Sequence, residues 1–265
     1  MLPVEVIDRS ELIRRLGRAL LASPERPEFE SFLLVRSGTG LHTVDFTETP
    51  LKPGRVVRVR PGQVQIWDTQ SIFEATLVLA RYTTPRVGMT DVWQETCRDL
   101  DRGSQAAKEI EDVLRREQRR FAGDGVTIAL MQSLFDALSC LFHRAAGASS
   151  RHMPKSCVAF LEAVEANFSW GHTVRQLAAG LGYSERTITR ACLKVSGRSA
   201  REVLNRRVLL EAKRMLAHTH RPASEIGKEL GFSEATNFHQ FFKRHAGVRP
   251  GDFRALSDAS GNTRR

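Results

Sequence analysis

Leu177-Ala178-Ala179-Gly180-Leu181-Gly182-Tyr183-Ser184 is matched downstream by Ile226-Gly227-Lys228-Glu229-Leu230-Gly231-Phe232-Ser233, and the two Gly-aromatic-Ser turns stand 49 positions apart (182 and 231). Each turn closes a short apolar-periodic stretch and opens a second, more basic one. A helix, a glycine-permitted tight turn and another helix make a helix-turn-helix, whose second helix enters the major groove of DNA. One such match is weak evidence. Two in tandem decide how the rest of the chain is read.

In the first copy the pattern predicts a helix over 174–181 with Thr173 as N-cap, then a reading helix over 184–195 capped by Ser184. Tyr183 is expected to pack into the core behind the turn. Ile188, Ala191 and Cys192 share one side, which leaves Arg186, Thr189, Arg190 and Lys194 facing outward. Arginine there can grip guanine bidentately or hold a phosphate. The second copy runs over 223–230, turn Gly231-Phe232, cap Ser233 and a helix to His245. Its apolar anchors Phe238 and Phe242 match Ile188 and Cys192 at an offset of 50, so one extra residue lies between turn and helix. On that register Thr236, His239 and Gln240 replace Arg186, Thr189 and Arg190. Gln240 is a base-reading type, and Lys243 and Arg244 suit phosphates. For His239 an exposed surface role is an equal alternative. A helix over 199–218 joins the copies and, at about 1.5 Å per residue, spans about 30 Å, close to the roughly 34 Å between successive groove faces.

Charge follows the same division. The net charge is +10; residues 1–150 carry 20 Lys/Arg and 20 Asp/Glu, so of the totals 40 and 30 the remainder holds 20 against 10. The basic excess therefore sits wholly in the half with the repeat, as polyanion binding requires. Cys97, Cys140, Cys157 and Cys192 are scattered without a Cys-x-x-Cys pair, which suggests reduced thiols in a cytoplasmic protein. No apolar run is read as approaching the ~18–20 residues of a membrane span, and no membrane partner is expected.

Upstream the period changes. Residues 10–22 read as an amphipathic helix with Ser10 as N-cap. Phe32-Leu33-Leu34-Val35, Leu41 to Phe46, Val56 to Val59 and Ile72 to Tyr82 read as strands, separated by Ser37-Gly38-Thr39-Gly40, Pro53-Gly54 and Pro61-Gly62 turns. That spacing predicts a small antiparallel barrel or sandwich. Helical spacing returns over 105–121 and 126–146, broken by Gly123-Asp124-Gly125 into a hairpin that either dimerises or packs on its own barrel. The expected fold class is thus α+β in two domains. The barrel covers 1–104, the hairpin 105–146 and a linker 147–154. An all-α DNA-binding domain covers 155–256, with motifs at 174–195 and 223–245, and a flexible tail covers 257–265.

With these residues in view, the chain resembles the AraC/XylS family of bacterial transcription regulators. The resemblance rests on Arg207, Glu211-Ala212 and Met215-Leu216 in the joining helix. It is carried most specifically by Ile226-Gly227, Gly231-Phe232-Ser233, Phe238, Phe242-Lys243, Gly247, Pro250 and Phe253-Arg254. It implies sequence-specific promoter binding through two reading helices, RNA polymerase as a partner and activation more often than repression. It also implies a cupin-like N-terminal sensor for a small effector and a homodimer. Arg36, Arg58, Arg60, Trp67 and Tyr82 are candidate lining for that effector. Cys192 and Leu193 depart from the Phe-Lys common at their place. His42 is the one histidine of the barrel segment, so no metal and no cofactor are read. Two alternatives stay open: a constitutive regulator whose barrel only dimerises, and an enzyme, either a cupin oxygenase or isomerase or a Cys-dependent DNA-repair transferase. The second lacks ligands for a metal and a cysteine beside an activating base, so the expectation is a non-enzyme.

Overall fold

The structure is a computed structural model that describes residues 2–81, 96–100, 103–145 and 153–263. The chain divides into two compact units.

In the first unit β1 (Val4–Asp8), β7 (Phe73–Ala80), β2 (Glu30–Gly38), β5 (Arg55–Val59) and β8 (Cys97–Asp99) form a five-stranded sheet in that spatial order. A three-stranded sheet has the order β4 (Thr47–Leu51), β3 (Gly40–Val44), β6 (Gln65–Trp67). Every ladder is antiparallel. Among the described residues the expected barrel is not closed. The free edge of β6 is taken by the loop residue Glu25, whose backbone exchanges bonds of 2.9 and 2.8 Å with Gln65, so no strand of the larger sheet pairs there. A loop over a short edge removes its unpaired polar groups without closure.

Phe32-Leu33-Leu34-Val35 is apolar throughout because β2 is covered on both faces. Leu33 and Val35 enter a core shared by the two sheets with Val57, Trp67, Phe73 and Leu77. Phe32 and Leu34 point the other way, toward α3 (Ser104–Arg120) and α4 (Gly125–Arg144). The Phe32 ring lies 5.2 Å from Phe135 and 5.7 Å from Phe142. Asp124 caps α4, accepting from the Thr127 amide at 2.8 Å. Contrary to the expectation of no such run, α4 is long and apolar enough by length and composition to cross a membrane. Its ridge Met131, Phe135, Leu138 and Phe142 is buried in the core of this unit, and Asp136 sits mid-helix.

The single helix expected over 10–22 is two, α1 (Arg9–Leu16) and α2 (Arg18–Leu21), because Gly17 takes φ 80° between them. Ser10 is not the cap; Asp8 holds that place without a side-chain bond.

The second unit is helical: α5 (Lys155–Ala166), α6 (Val174–Gly180), α7 (Glu185–Ser196), α8 (Ala200–His218), α9 (Ala223–Glu229), α10 (Ala235–Ala246) and α11 (Pro250–Thr263). One continuous apolar core serves both motifs. Of the flexible tail expected over 257–265, residues 257–263 are the last part of α11, where Ser257 Oγ donates to the Phe253 carbonyl at 3.0 Å. The linker expected at 147–154 lies mostly outside the described residues.

Candidate nucleic-acid interface

The first motif is set by local chemistry. Thr173 and Gln176 form a reciprocal capping box at the start of α6, which satisfies two otherwise orphaned amides. Gly182 takes φ 74°, a left-handed conformation that glycine adopts freely, and the chain turns into α7. Ser184 caps α7 by accepting from the Thr187 amide at 3.1 Å. Ile188, Ala191 and Cys192 are buried. Arg186, Arg190 and Lys194 are exposed on the opposite side, and Thr189 is half-buried at its margin.

The second motif repeats the plan with one difference of register. α7 begins three positions after Gly182, whereas α10 begins four after Gly231. The N-cap is therefore Glu234 and not Ser233, and it makes no side-chain cap bond. The displaced start keeps Phe238, Phe241 and Phe242 on the buried side. Thr236, His239, Gln240, Lys243 and Arg244 are all exposed. Among the described residues Arg186, Arg190, Lys194, Lys243 and Arg244 form no ion pair, so these cations face solvent uncompensated. Exposed cations flanking hydrogen-bonding side chains on a projecting helix suit phosphates at the rim and base edges at the centre. On the same helix His245 binds a proton less readily than a free imidazole, first through burial and then through the charges of Arg244 and Arg201.

The turn aromatics behave differently. Phe232 is buried, but Tyr183 is exposed against expectation. Phe232 is roofed by Trp170, whose ring stacks on it at 4.7 Å. No ring contact covers Tyr183 among the described residues.

Buried charges fix the helices behind the readers. Arg207 on α8 donates to Glu165 of α5 at 2.6 Å and to Glu211 at 3.0 Å, and it lies 3.6 Å above the Phe168 ring. Arg214 also reaches Glu211, at 3.3 Å. At the other end Arg254 of α11 donates to the carbonyls of Leu216 and Arg221 at 3.2 and 2.5 Å, tying α11 to the α8–α9 connection. Neither the Arg207–Glu165 pair nor the Trp170 contact is foreseen by spacing, because both join residues distant in sequence.

The candidate effector residues of the first unit are not brought together. Arg36 is the unpaired residue of a β2 bulge between Val35 and Ser37, and its guanidinium meets Glu111 of α3. Glu111 is also held by Arg115 at 2.9 Å and Thr76 at 3.2 Å. Arg36, Leu34, Val56, Leu100 and Ala107 line a cleft of about 360 Å³ between β2, β5 and α3. Arg58 is buried, donating to Glu30 at 2.5 Å and lying 3.1 Å from His143 Nε2. Arg60 is half-buried after β5, its amide donating to Gln63 at 2.9 Å. Trp67 points into the core between the sheets, edge-on to His42 at 4.5 Å. Burial lowers the His42 pKa to about 4. Tyr82 lies outside the described residues.

Two basic reading helices, each backed by a capped helix and a glycine turn on one core, define a tandem helix-turn-helix DNA-binding protein. Residues 177–256 match the helix-turn-helix domain family. The chain is 24% identical over 246 residues to the HTH-type transcriptional activator RhaS of Salmonella agona, covering 88% of this chain and 87% of that protein. Among solved structures, ToxT from Vibrio cholerae aligns with 96% of this chain and 97% of its own at 8% identity and a TM-score of 0.46. A Chromobacterium violaceum regulator with an AraC-type DNA-binding domain aligns with 39% of this chain and 92% of its own, at 22% identity and a TM-score of 0.36. The chain is thus similar to AraC-type transcription regulators, and its second unit carries their helix-turn-helix domain.

Proposed function

We propose that this regulator places α7 and α10 in adjacent major-groove segments of promoter DNA, with Arg186, Thr189, Arg190, Thr236, His239 and Gln240 at base edges and Lys194, Lys243 and Arg244 at phosphates. The observation that carries it is the outward, uncompensated placement of these side chains on two helices that share one core. Activation as the sign of regulation is supported by the similarity to RhaS, an HTH-type transcriptional activator.

The first unit is then a cupin-like sensor, 1–104, with 105–146 as its dimerising hairpin. Two features support a small effector. The cleft at Arg36 falls in the size range of small-molecule sites, ~300–1,000 Å³, and the buried Trp67 Nε1 has no acceptor among the described residues. Dimerisation is supported by Val126 and Leu130, which α4 leaves 81% and 41% exposed. Affinity for a selected promoter site is compared with that for random duplex at physiological salt. A large, salt-steep preference is expected, and equal affinity would overturn the reading. Leu130→Glu is expected to shift sedimentation from dimer to monomer.

A further inference from the structure

Trp170 precedes the first motif, in the loop between α5 and α6, yet its backbone and aromatic contacts lie in the second. Its amide donates to the carbonyl of Leu230, the last residue before the second turn, at 2.7 Å. Its ring stacks on Phe232 of that turn with planes 13° apart, and it meets Phe241 of α10 edge-on at 4.7 Å. The Arg201 guanidinium, from the first turn of α8, covers the ring at 4.9 Å. The fit extends to the backbone: a Cβ on Gly231 would stand 3.1 Å from both the Gly171 nitrogen and Ser169 Oγ.

These contacts form a further attachment between the two motifs, beside the shared core through which both pack on α8. The packing of α9 and α10 on α8, with Arg254 bracing the connection at Leu216 and Arg221, holds one side of the second motif. The Trp170 loop holds the side of its turn, where a swing of α9 and α10 relative to α7 would open. With the Trp170 loop seated on the second turn, that swing requires breaking a stack, an edge contact and a backbone hydrogen bond together. The contact is not a by-product of the repeated fold, since the turn aromatic of the first motif, Tyr183, is exposed.

We propose that Trp170 is a positioning residue that fixes the spacing and rotational phase of the two DNA half-sites this chain accepts. The inference rests on the reading that α7 and α10 engage one duplex. A single inserted base pair moves the half-sites apart by about 3.4 Å and rotates them by about 35°. A rigid pair of readers meets that change with lost contacts, and a loosely joined pair follows it.

The test selects bound sequences from a random duplex library with the full chain, then measures affinity for the selected operator with one base pair inserted or deleted between half-sites. The wild type is expected to return a bipartite motif at one spacing and to lose about tenfold or more on insertion. Trp170→Leu is expected to return the same half-site sequences at two or more spacings, with an insertion penalty under about threefold. Trp170→Phe keeps a stackable ring and decides the matter if the leucine variant fails to fold; its penalty is expected to lie between the two. Variants that keep the wild-type penalty, or lose affinity equally at all spacings, overturn the proposal. A wild-type motif with one undivided half-site instead overturns the two-reader reading, and this inference with it.

Discussion

Phe238 packs on the backbone of Gly227 so closely that a Cβ at 227 would stand 2.8 Å from both Cβ and Cγ of the phenylalanine. The pair sets how near α9 comes to α10. The first motif solves the same crossing with Ala178 and Ile188, both fully buried. A small residue facing a large one and a medium residue facing a medium one are two volume-matched solutions to one geometry.

Gly227→Ala is therefore expected to destabilise the second unit by about 1–3 kcal/mol, the range for overpacking a dense core. Adding Phe238→Ile, which copies the first motif's pairing, is expected to recover part of that loss. Denaturant unfolding of the single and double variants checks it, and a strictly additive pair of losses would exclude a shared cause.

Removal of the Arg207 side chain leaves Glu165 and Glu211 without their shared donor in a site where Arg207 and Glu211 are each 5% exposed. Breaking a buried pair by deleting one partner costs about 3–5 kcal/mol. Arg207→Ala is expected to fall in that range. Arg207→Lys is expected to recover only part, because an ammonium cannot reproduce the planar fork or the stack on Phe168. Thermal melting and urea titration report both.

The two kinds of DNA contact separate by salt. Arg190→Ala and Gln240→Ala are expected to cost about 1–3 kcal/mol on the selected operator and to relax preference at one base position each. Lys243→Ala is expected to weaken all sequences alike and to lower the salt slope by about one. Fluorescence anisotropy at several salt concentrations distinguishes the outcomes; an Arg190 variant that weakens random DNA equally would move that residue to the phosphates.

His42 gives the first unit a pH dependence of definite sign. Its pKa falls from 6.5 in the unfolded chain to about 4 when buried beside Trp67. Between those values the unfolded state binds more protons, so stability rises with pH. The contribution is complete above pH 6.5 and is lost as pH falls toward 4, by roughly 3 kcal/mol at its full extent. Unfolding of wild type and His42→Leu between pH 4 and 7 tests this, and equal slopes for both would remove His42 as the cause.

Much of the DNA-reading unit was legible because its signals are local. The caps Thr173 and Ser184 and the left-handed glycines of the turns act within four residues of themselves. The register slip was legible too, since apolar anchors at an offset of 50 require an extra residue after Gly231. Its consequence for the cap was not: Ser233 has the right chemistry, but the helix starts where Phe238 and Phe242 reach the core, and that leaves Glu234 at the N-cap. In the first unit, alternation identified strands but could not say that Glu25 occupies the edge of β6, or that Arg58 is buried on Glu30.

The doubled turn, the capped helices and the concentration of positive charge follow from neighbours along the chain, where hydrogen bonds and the 3.6-residue period act. What tertiary structure alone decided is how those parts are held. Trp170 meets Leu230 and Phe232, and Arg207 meets Glu165, across long separations in sequence. Such contacts form only when the shared core brings the elements together, and no local pattern encodes which distant surface a loop tryptophan will cover.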